Sequence, residues 1–225
     1  MQLLYSKLKR KFLKVAFICA VCFCYATAKA QVLVVDATDR PIMPKEYTHV
    51  KGSPFMYDDW IKGTVRLANG IEYKDVFLMY DQVKDEIRFT YKDGKTQVFI
   101  DPVVRFTLDN REFRRDLFTK SQSLPKEFFE VLVDGDTKLL RRTSKKILDE
   151  VNHAVATKQK SIHTITSYFI ITDDKLTRVK QDKKSLAKVL SNHSKAITGY
   201  INEHNLNLKN EEDLVKLITY YNTLN

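Results

Sequence analysis

The sequence predicts an α+β fold that is mostly β: an antiparallel, meandering sheet curling into a sandwich or partial barrel, followed by a C-terminal antiparallel helix pair. Three observations carry this. Between Trp60 and Val179 short runs alternate apolar and polar residues, the period of a strand with one buried face. Tight-turn pairs punctuate the runs, at Asn69-Gly70, Asp93-Gly94, Asp134-Gly135 and Asp173-Asp174. From Asp182 onward the apolar spacing changes to i, i+3, i+4, which is that of an amphipathic helix.

The chain begins with a basic stretch (Lys7, Lys9, Arg10, Lys11, Lys14), an apolar run from Val15 to about Ala26, and Ala28-Lys29-Ala30. A charged head, a short apolar run and an A-x-A site form the pattern of a secretory signal peptide. The run is short for a membrane span, which takes about 20 apolar residues. Residues 1–30 therefore read as a leader cleaved after Ala30; cleavage after Ala28 and an uncleaved anchor are the alternatives. All three cysteines (Cys19, Cys22, Cys24) fall inside this run and act there as small hydrophobes. None follows a small residue as a lipobox cysteine does. The expected mature chain has no cysteine, so packing without disulfides must hold it together. That composition favours a bacterial periplasm or cell envelope. Six of the 38 basic residues leave with the leader, so 32 face 28 acids and the net charge falls from +10 to +4. Nucleic acid is accordingly not an expected partner, and no nucleic-acid-binding motif accompanies the basic residues.

Residues 31–52 read as an extended arm, with one apolar run at Val32–Val35 and then Pro41 and Pro44. The β-rich domain spans 53–181. Ile61, Val65 and Leu67 share one face, with Gly63 in phase. Asn69-Gly70 predicts a type I′ turn, in which both central residues take φ > 0. Val76, Leu78 and Tyr80 follow in phase, then Ile87, Phe89 and Tyr91. TQVFI, VRFTL, FFEVLV, TKLLRR, SIHTITSYFIIT and KLTRV continue the series. The basic stretch 141–160 interrupts it and reads as a mobile loop or a short helix.

The helical tail spans 182–225. Leu186, Val189, Leu190, Ile197, Tyr200 and Ile201 form one face, and Leu214, Leu217, Ile218 and Tyr221 the next. Asn210 is the expected N-cap of the last helix, with Asp213 at the capping-box position. Neither helix is stable alone at this length, so the pair must pack on the sheet or on a partner.

Two stretches, GSPFMYDDWIKGTVRLANGIEYKDVFLMYD and EEDLVKLITYYNTLN, resemble an uncharacterised family of exported proteins of Bacteroidetes-type bacteria. The resemblance covers about half of the expected mature chain and rests on W-x-x-G before an N-G hairpin and on a C-terminal Y-Y-N. It implies an exported location and a β-then-helix layout. It assigns no catalytic or binding residue.

Chemistry-bearing constellations are sparse. The five histidines (His49, His153, His163, His193, His204) are scattered and form no metal-ligand spacing. No G-x-S-x-G elbow and no Gly-rich phosphate loop occur. Asp58-Asp59, Asp134-x-Asp136 and Asp173-Asp174 fit turn chemistry better than metal or acid–base pairs. No catalytic residue, metal or cofactor is expected. The best ligand candidate is Phe55, Tyr57 and Trp60 beside Asp58 and Asp59, because aromatic faces give area and carboxylates give direction to a bound sugar or peptide. Against that, a large aromatic such as Trp60 more often plugs a core. Arg111, Arg114, Arg115, Arg141, Arg142, Lys145 and Lys146 read as a solvated face because acids are interspersed.

The function expected first is that of an exported, non-catalytic envelope protein that docks a partner, either an envelope protein or a surface polymer. A soluble glycan- or peptide-binding module using Phe55–Trp60 is the alternative. A carboxylate-dependent hydrolase using Asp134 and Asp136 stands third.

Overall fold

A computed structural model of the chain describes residues 47–90, 95–117, 125–152 and 157–224. The expected leader, the run Val32–Val35, the Asp93-Gly94 turn and His153 lie outside the described residues. The strands are β1 (Val50–Lys51), β2 (Ile61–Leu67), β3 (Glu72–Asp81), β4 (Glu86–Thr90), β5 (Thr96–Val98) and β6 (Val103–Leu108). They continue with β7 (Arg111–Arg114), β8 (Phe129–Val133), β9 (Lys138–Asn152), β10 (Thr157–Thr172) and β11 (Lys175–Val179). Three helices follow: α1 (Lys183–Val189), α2 (Ser194–Glu203) and α3 (Glu211–Tyr221).

The strands form one 11-stranded sheet in the order β1-β10-β9-β8-β7-β6-β2-β3-β4-β5, with β11 also on β10. Every pairing is antiparallel except β1 with β10. The sheet is open, with no ladder joining its two ends, but it curls. Gln82, in the turn after β3, accepts the Lys145 N–H of β9 at 2.9 Å, although β8, β7, β6 and β2 lie between those strands in the sheet. The concave side is filled by Val65, Leu78, Tyr80, Phe106, Phe113 and Phe128. Phe106 stacks on Phe113 at 4.7 Å, and Tyr80 meets Phe106 edge-on at 5.1 Å, the geometries that aromatic quadrupoles favour.

The turns do not all use the residues the sequence marked. At Asn69-Gly70 the type I′ expectation is corrected. Gly70 takes φ 88°, whereas Asn69 uses its side chain, whose Oδ1 accepts the Ile71 N–H at 3.0 Å. An asparagine bonding the backbone two residues on removes the need for a second left-handed residue. Left-handed pairs occur instead at Asp109-Asn110 (φ 49° and 60°) and Asp173-Asp174 (φ 53° and 57°). Each pair closes a two-residue hairpin, β6–β7 and β10–β11.

The reading of 141–160 as a loop or short helix is also corrected. Described residues on both sides of 153–156 belong to the paired strands β9 and β10, matched in register from Lys138↔Ile171 to Asn152↔Thr157. The ladder bonds come from the backbone, so a charged stretch can pair as well as an apolar one. What it lacks is a buried face, and that is the signal sequence periodicity detects.

The tail packs on its own sheet. Leu186, Leu190, Ile197, Ile201, Leu214, Leu217, Ile218 and Tyr221 form one buried cluster with Leu139, Ile170 and Val179. The expected pair is three helices, because the first is interrupted. Leu190 leaves helical geometry (φ −96°, ψ 46°) and Ser191–His193 forms a 3-10 turn. Ser, Asn and His compete poorly for helix interiors, while the apolar spacing runs through the break and hides it. Asn210 caps α3 as expected, accepting the Glu212 N–H at 2.8 Å. Asp213 does not close the box onto Asn210; it accepts the Asn207 N–H at 2.9 Å.

Asn222 gives the C-terminal Y-Y-N a structural meaning. Its Oδ1 accepts the Thr137 N–H at 2.9 Å and its Nδ2 donates to the Thr137 carbonyl at 2.8 Å. The amide thus serves both backbone groups of a residue that is 2% exposed. Asn222→Asp replaces the donor with a second acceptor facing a carbonyl. It is expected to lower the unfolding free energy by about 1–3 kcal/mol, read from urea denaturation. An unchanged midpoint shows that the clamp contributes nothing.

Candidate functional site

The segment before β2 crosses the open side of the curl. Met56 N–H donates to the Tyr80 carbonyl and Gln82 N–H to the Pro54 carbonyl, both at 2.9 Å. This pairing presses Phe55 inward, where it is 6% exposed and lies 5.8 Å beneath the Arg88 guanidinium. Lys145 anchors the segment from below, donating its ammonium to the carbonyls of Ser53 (3.0 Å) and Phe55. Burial pushes the Lys145 pKa down, and the nearby Asp58 and Asp81 oppose that shift. Asp81 is fully buried and satisfied by Tyr47 Oη (3.0 Å), the Val83 and Lys84 N–H groups (3.0 Å each) and Arg88 (3.3 Å).

The five residues expected to form a ligand platform are thereby divided. Phe55 is buried. Tyr57 is half-buried and its hydroxyl bonds Asp109 at 3.3 Å while accepting from Arg111 at 3.4 Å. Asp58 and Asp59 are exposed, and Trp60 is half-buried. The plug expected at Trp60 is supplied instead by Tyr80, Phe106, Phe113 and Phe128.

Tyr57 leads into an ion network that the sequence did not reveal. Arg111 grips Glu130 with Nε at 2.7 Å and Nη2 at 2.6 Å. Arg141 grips the same carboxylate with Nε at 2.9 Å and Nη2 at 2.7 Å. Its Nη1 reaches Glu211, at the start of α3, at 2.6 Å. Tyr168 donates to Glu211 at 2.9 Å, and burial together with that carboxylate pushes its pKa up to about 12. Charges on β7, β8, β9 and α3, with the Tyr168 hydroxyl of β10, thus tie the tail to the sheet. The solvated-face reading of the basic residues is corrected here: Arg111, Arg114, Arg141 and Arg142 all face carboxylates. The sequence hid this because Glu211 lies 70 residues from Arg141.

The remaining acids and histidines have local explanations. Asp134 pairs with Arg114 at 3.0 Å and with Lys138, whose hydrogen bond holds its carboxyl below the usual range. A carboxyl held ionised is a poor general acid at neutral pH. Asp136 is exposed in the same turn. His163 bonds Glu150 (2.7 Å) and Ser161 (2.9 Å), while His193 packs edge-on against Tyr221 at 5.7 Å. His204 lies against Tyr200 at 4.2 Å, and His49 is exposed. Among the described residues, no three or more His, Cys, Asp and Glu side chains cluster to hold a metal ion. No helix among them is long and apolar enough to cross a membrane.

One further candidate is a surface. β9 (15 residues) and β10 (16 residues) are the longest of the described strands, and β8 and β11 cover only their proximal part. β8 pairs with β9 only at Leu139–Arg141, and β11 with β10 only at Tyr168–Thr172. β1 touches β10 at Lys160 and Ser161. The distal ribbon carries Leu148 (47% exposed) and Ile165 (38%) among Lys146, Asp149, Glu150 and His163. Comparison of the chain with protein-family models, curated proteins and solved structures finds no match.

Proposed function

We propose that this chain is an exported envelope protein that acts by docking a partner, and that the distal β9–β10 ribbon is the docking surface. The observation that carries the reading is the ribbon's length beyond β8 and β11, where β1 adds only a two-residue pairing. A two-stranded ribbon is marginally stable in water by itself, and this one holds two large apolar side chains open to solvent. A partner that covers them gains their burial, roughly 25 cal/mol per Å² of apolar surface. The charges of Lys146, Asp149 and Glu150 guard against non-specific strand pairing at the edge of β9 that no described strand pairs. That favours recognition by side chains over the addition of a strand. The tail is unsuited to this role, since its apolar faces are buried on the sheet. Export rests on the basic head, short apolar run and A-x-A site of residues 1–30.

A photo-crosslinking residue placed at Leu148, at Ile165 and, as a control, at the exposed Thr219 of α3 tests the proposal in intact cells. A discrete cross-linked species is expected from the two ribbon positions and not from Thr219. Equal products from all three positions, or none from the ribbon, overturn it.

A further inference from the structure

A cavity of about 290 Å³ opens beside the turn joining β3 to β4, walled by Ile87, Phe99, Val103 and Phe128, with Arg115 at its side. None of its lining residues belongs to the ribbon. Arg115 is built into place. Its guanidinium lies 3.6 Å over the Phe128 ring, its Nη2 donates to the Asp85 carbonyl at 3.1 Å, and its main-chain N–H donates to Val104 at 2.8 Å. Its Nε is buried without a hydrogen-bond partner. Among the described residues no carboxylate lies within ion-pair distance of it, unlike Arg111, Arg114, Arg141 and Arg142.

Among the described residues three carboxylates also line the cavity, and each is engaged. Asp85 takes the Tyr80 hydroxyl, the Phe128 N–H at 3.2 Å and Arg142 at 3.6 Å. Glu86 pairs with Arg88 at 3.0 Å, and Asp101 accepts the Asn69 amide at 2.9 Å. Lys84 adds a second cation to the rim. The result is a stacked, partly desolvated guanidinium that the Asp85 and Glu127 carboxylates attract without forming a direct ion pair, next to an apolar wall. A buried charge without a directly hydrogen-bonded carboxylate is costly to hold, and planar Arg donors match a carboxylate in a bidentate fork.

We propose that this cavity binds a carboxylate carried on a single apolar group, with Arg115 pairing the carboxylate and Phe99, Ile87 and Val103 enclosing the hydrocarbon. The volume suits one aromatic or branched side chain and its acid group. Two sources share that chemistry, a free apolar carboxylic acid and the C-terminus of a peptide ending in an apolar residue.

Calorimetry and amide NMR on the full chain test this with 3-phenylpropionate and with its uncharged counterpart 3-phenylpropan-1-ol. The acid is expected to bind saturably and at least tenfold more tightly than the alcohol, shifting the amides of Ile87, Phe99 and Val103. Arg115→Met, which keeps an apolar stem over Phe128, is expected to reduce acid binding tenfold or more and leave alcohol binding unchanged. Equal binding of acid and alcohol by the unmodified protein overturns the proposal, as does no acid binding at millimolar concentration. That comparison stands even if Arg115→Met fails to fold. A tripeptide Gly-Gly-Phe with a free C-terminus distinguishes the sources. Tighter binding than the acid, abolished by amidation, supports the peptide terminus; weaker binding supports the free acid.

Discussion

Replacing Glu130 by alanine is expected to lower the unfolding free energy by about 3–5 kcal/mol, the cost of breaking a buried ion pair from one side. Glu130 is 5% exposed and is the shared acceptor of two guanidinium groups. Its loss leaves Arg111 without its carboxylate and Arg141 with Glu211 alone. Both arginines are mostly covered, with side chains 30% and 20% exposed, so water replaces the lost partner only in part. Glu130→Gln keeps the shape and removes the charge, and should cost less than alanine. The triple replacement Glu130→Leu with Arg111→Met and Arg141→Met should recover part of the loss, because it removes the stranded guanidinium groups while leaving the partly exposed Glu211 with the Tyr168 hydroxyl. Guanidinium denaturation of the three variants measures all of this. A loss below about 1 kcal/mol for Glu130→Ala would show that the network behaves as an exposed one.

The second large effect is expected at Gly63, where alanine should cost at least the roughly 1–3 kcal/mol of an overpacked core. A Cβ at this position falls inside the contact distance of the Thr107 carbonyl oxygen on β6 and 2.8 Å from Leu78 Cδ1. The first of these is backbone in a paired strand, so it cannot move without parting β2 from β6. Two other glycines calibrate the result. At Gly70 a Cβ meets nothing, but φ of 88° makes alanine strained by about 1–2 kcal/mol. At Gly199, inside α2, a Cβ also meets nothing and no left-handed φ is needed, so alanine should stabilise by about 0.5–1 kcal/mol. Thermal melts should rank the variants Gly199→Ala, wild type, Gly70→Ala and Gly63→Ala in falling stability. Gly63→Ala melting with the wild type would overturn the close-approach reading.

Gly63 and Asn222 also give the motifs W-x-x-G and Y-Y-N structural roles. W-x-x-G ends on a glycine that two strands press against, and Y-Y-N ends on an amide that serves the backbone of Thr137. Both are devices of the fold. In both motifs the closing residue meets protein backbone, Thr107 in one and Thr137 in the other.

Much of the architecture was legible because it is written in periodicity. Val65, Leu78, Tyr80, Ile87 and Phe106 are in-phase positions and all are buried. The tail's two apolar faces were likewise predicted by spacing, and Leu186, Leu190, Ile197, Ile201, Leu214, Leu217, Ile218 and Tyr221 all enter one core. β7 was hidden because its arginines and Glu112 read as a charged patch. The Asp109-Asn110 pair before it was the available signal, since both residues tolerate left-handed backbone. The ligand platform expected at Phe55–Trp60 rested on adjacency in the chain. Adjacent residues in an irregular segment face different ways, and here Phe55 turns to the core while Asp58 and Asp59 stay in solvent.

The sequence by itself determined the order and character of the elements: a β body with turns at fixed places, then amphipathic helices. These follow from local steric preference and from which residues avoid water, and both are properties of short windows. Only the tertiary structure decided where charge goes. That Glu130 joins Arg111 to Arg141, that Glu211 ties α3 to the sheet, and that no carboxylate among the described residues pairs directly with Arg115 depend on contacts between strands distant in sequence. Electrostatic energy depends on distance and burial, and neither quantity exists until the sheet has curled.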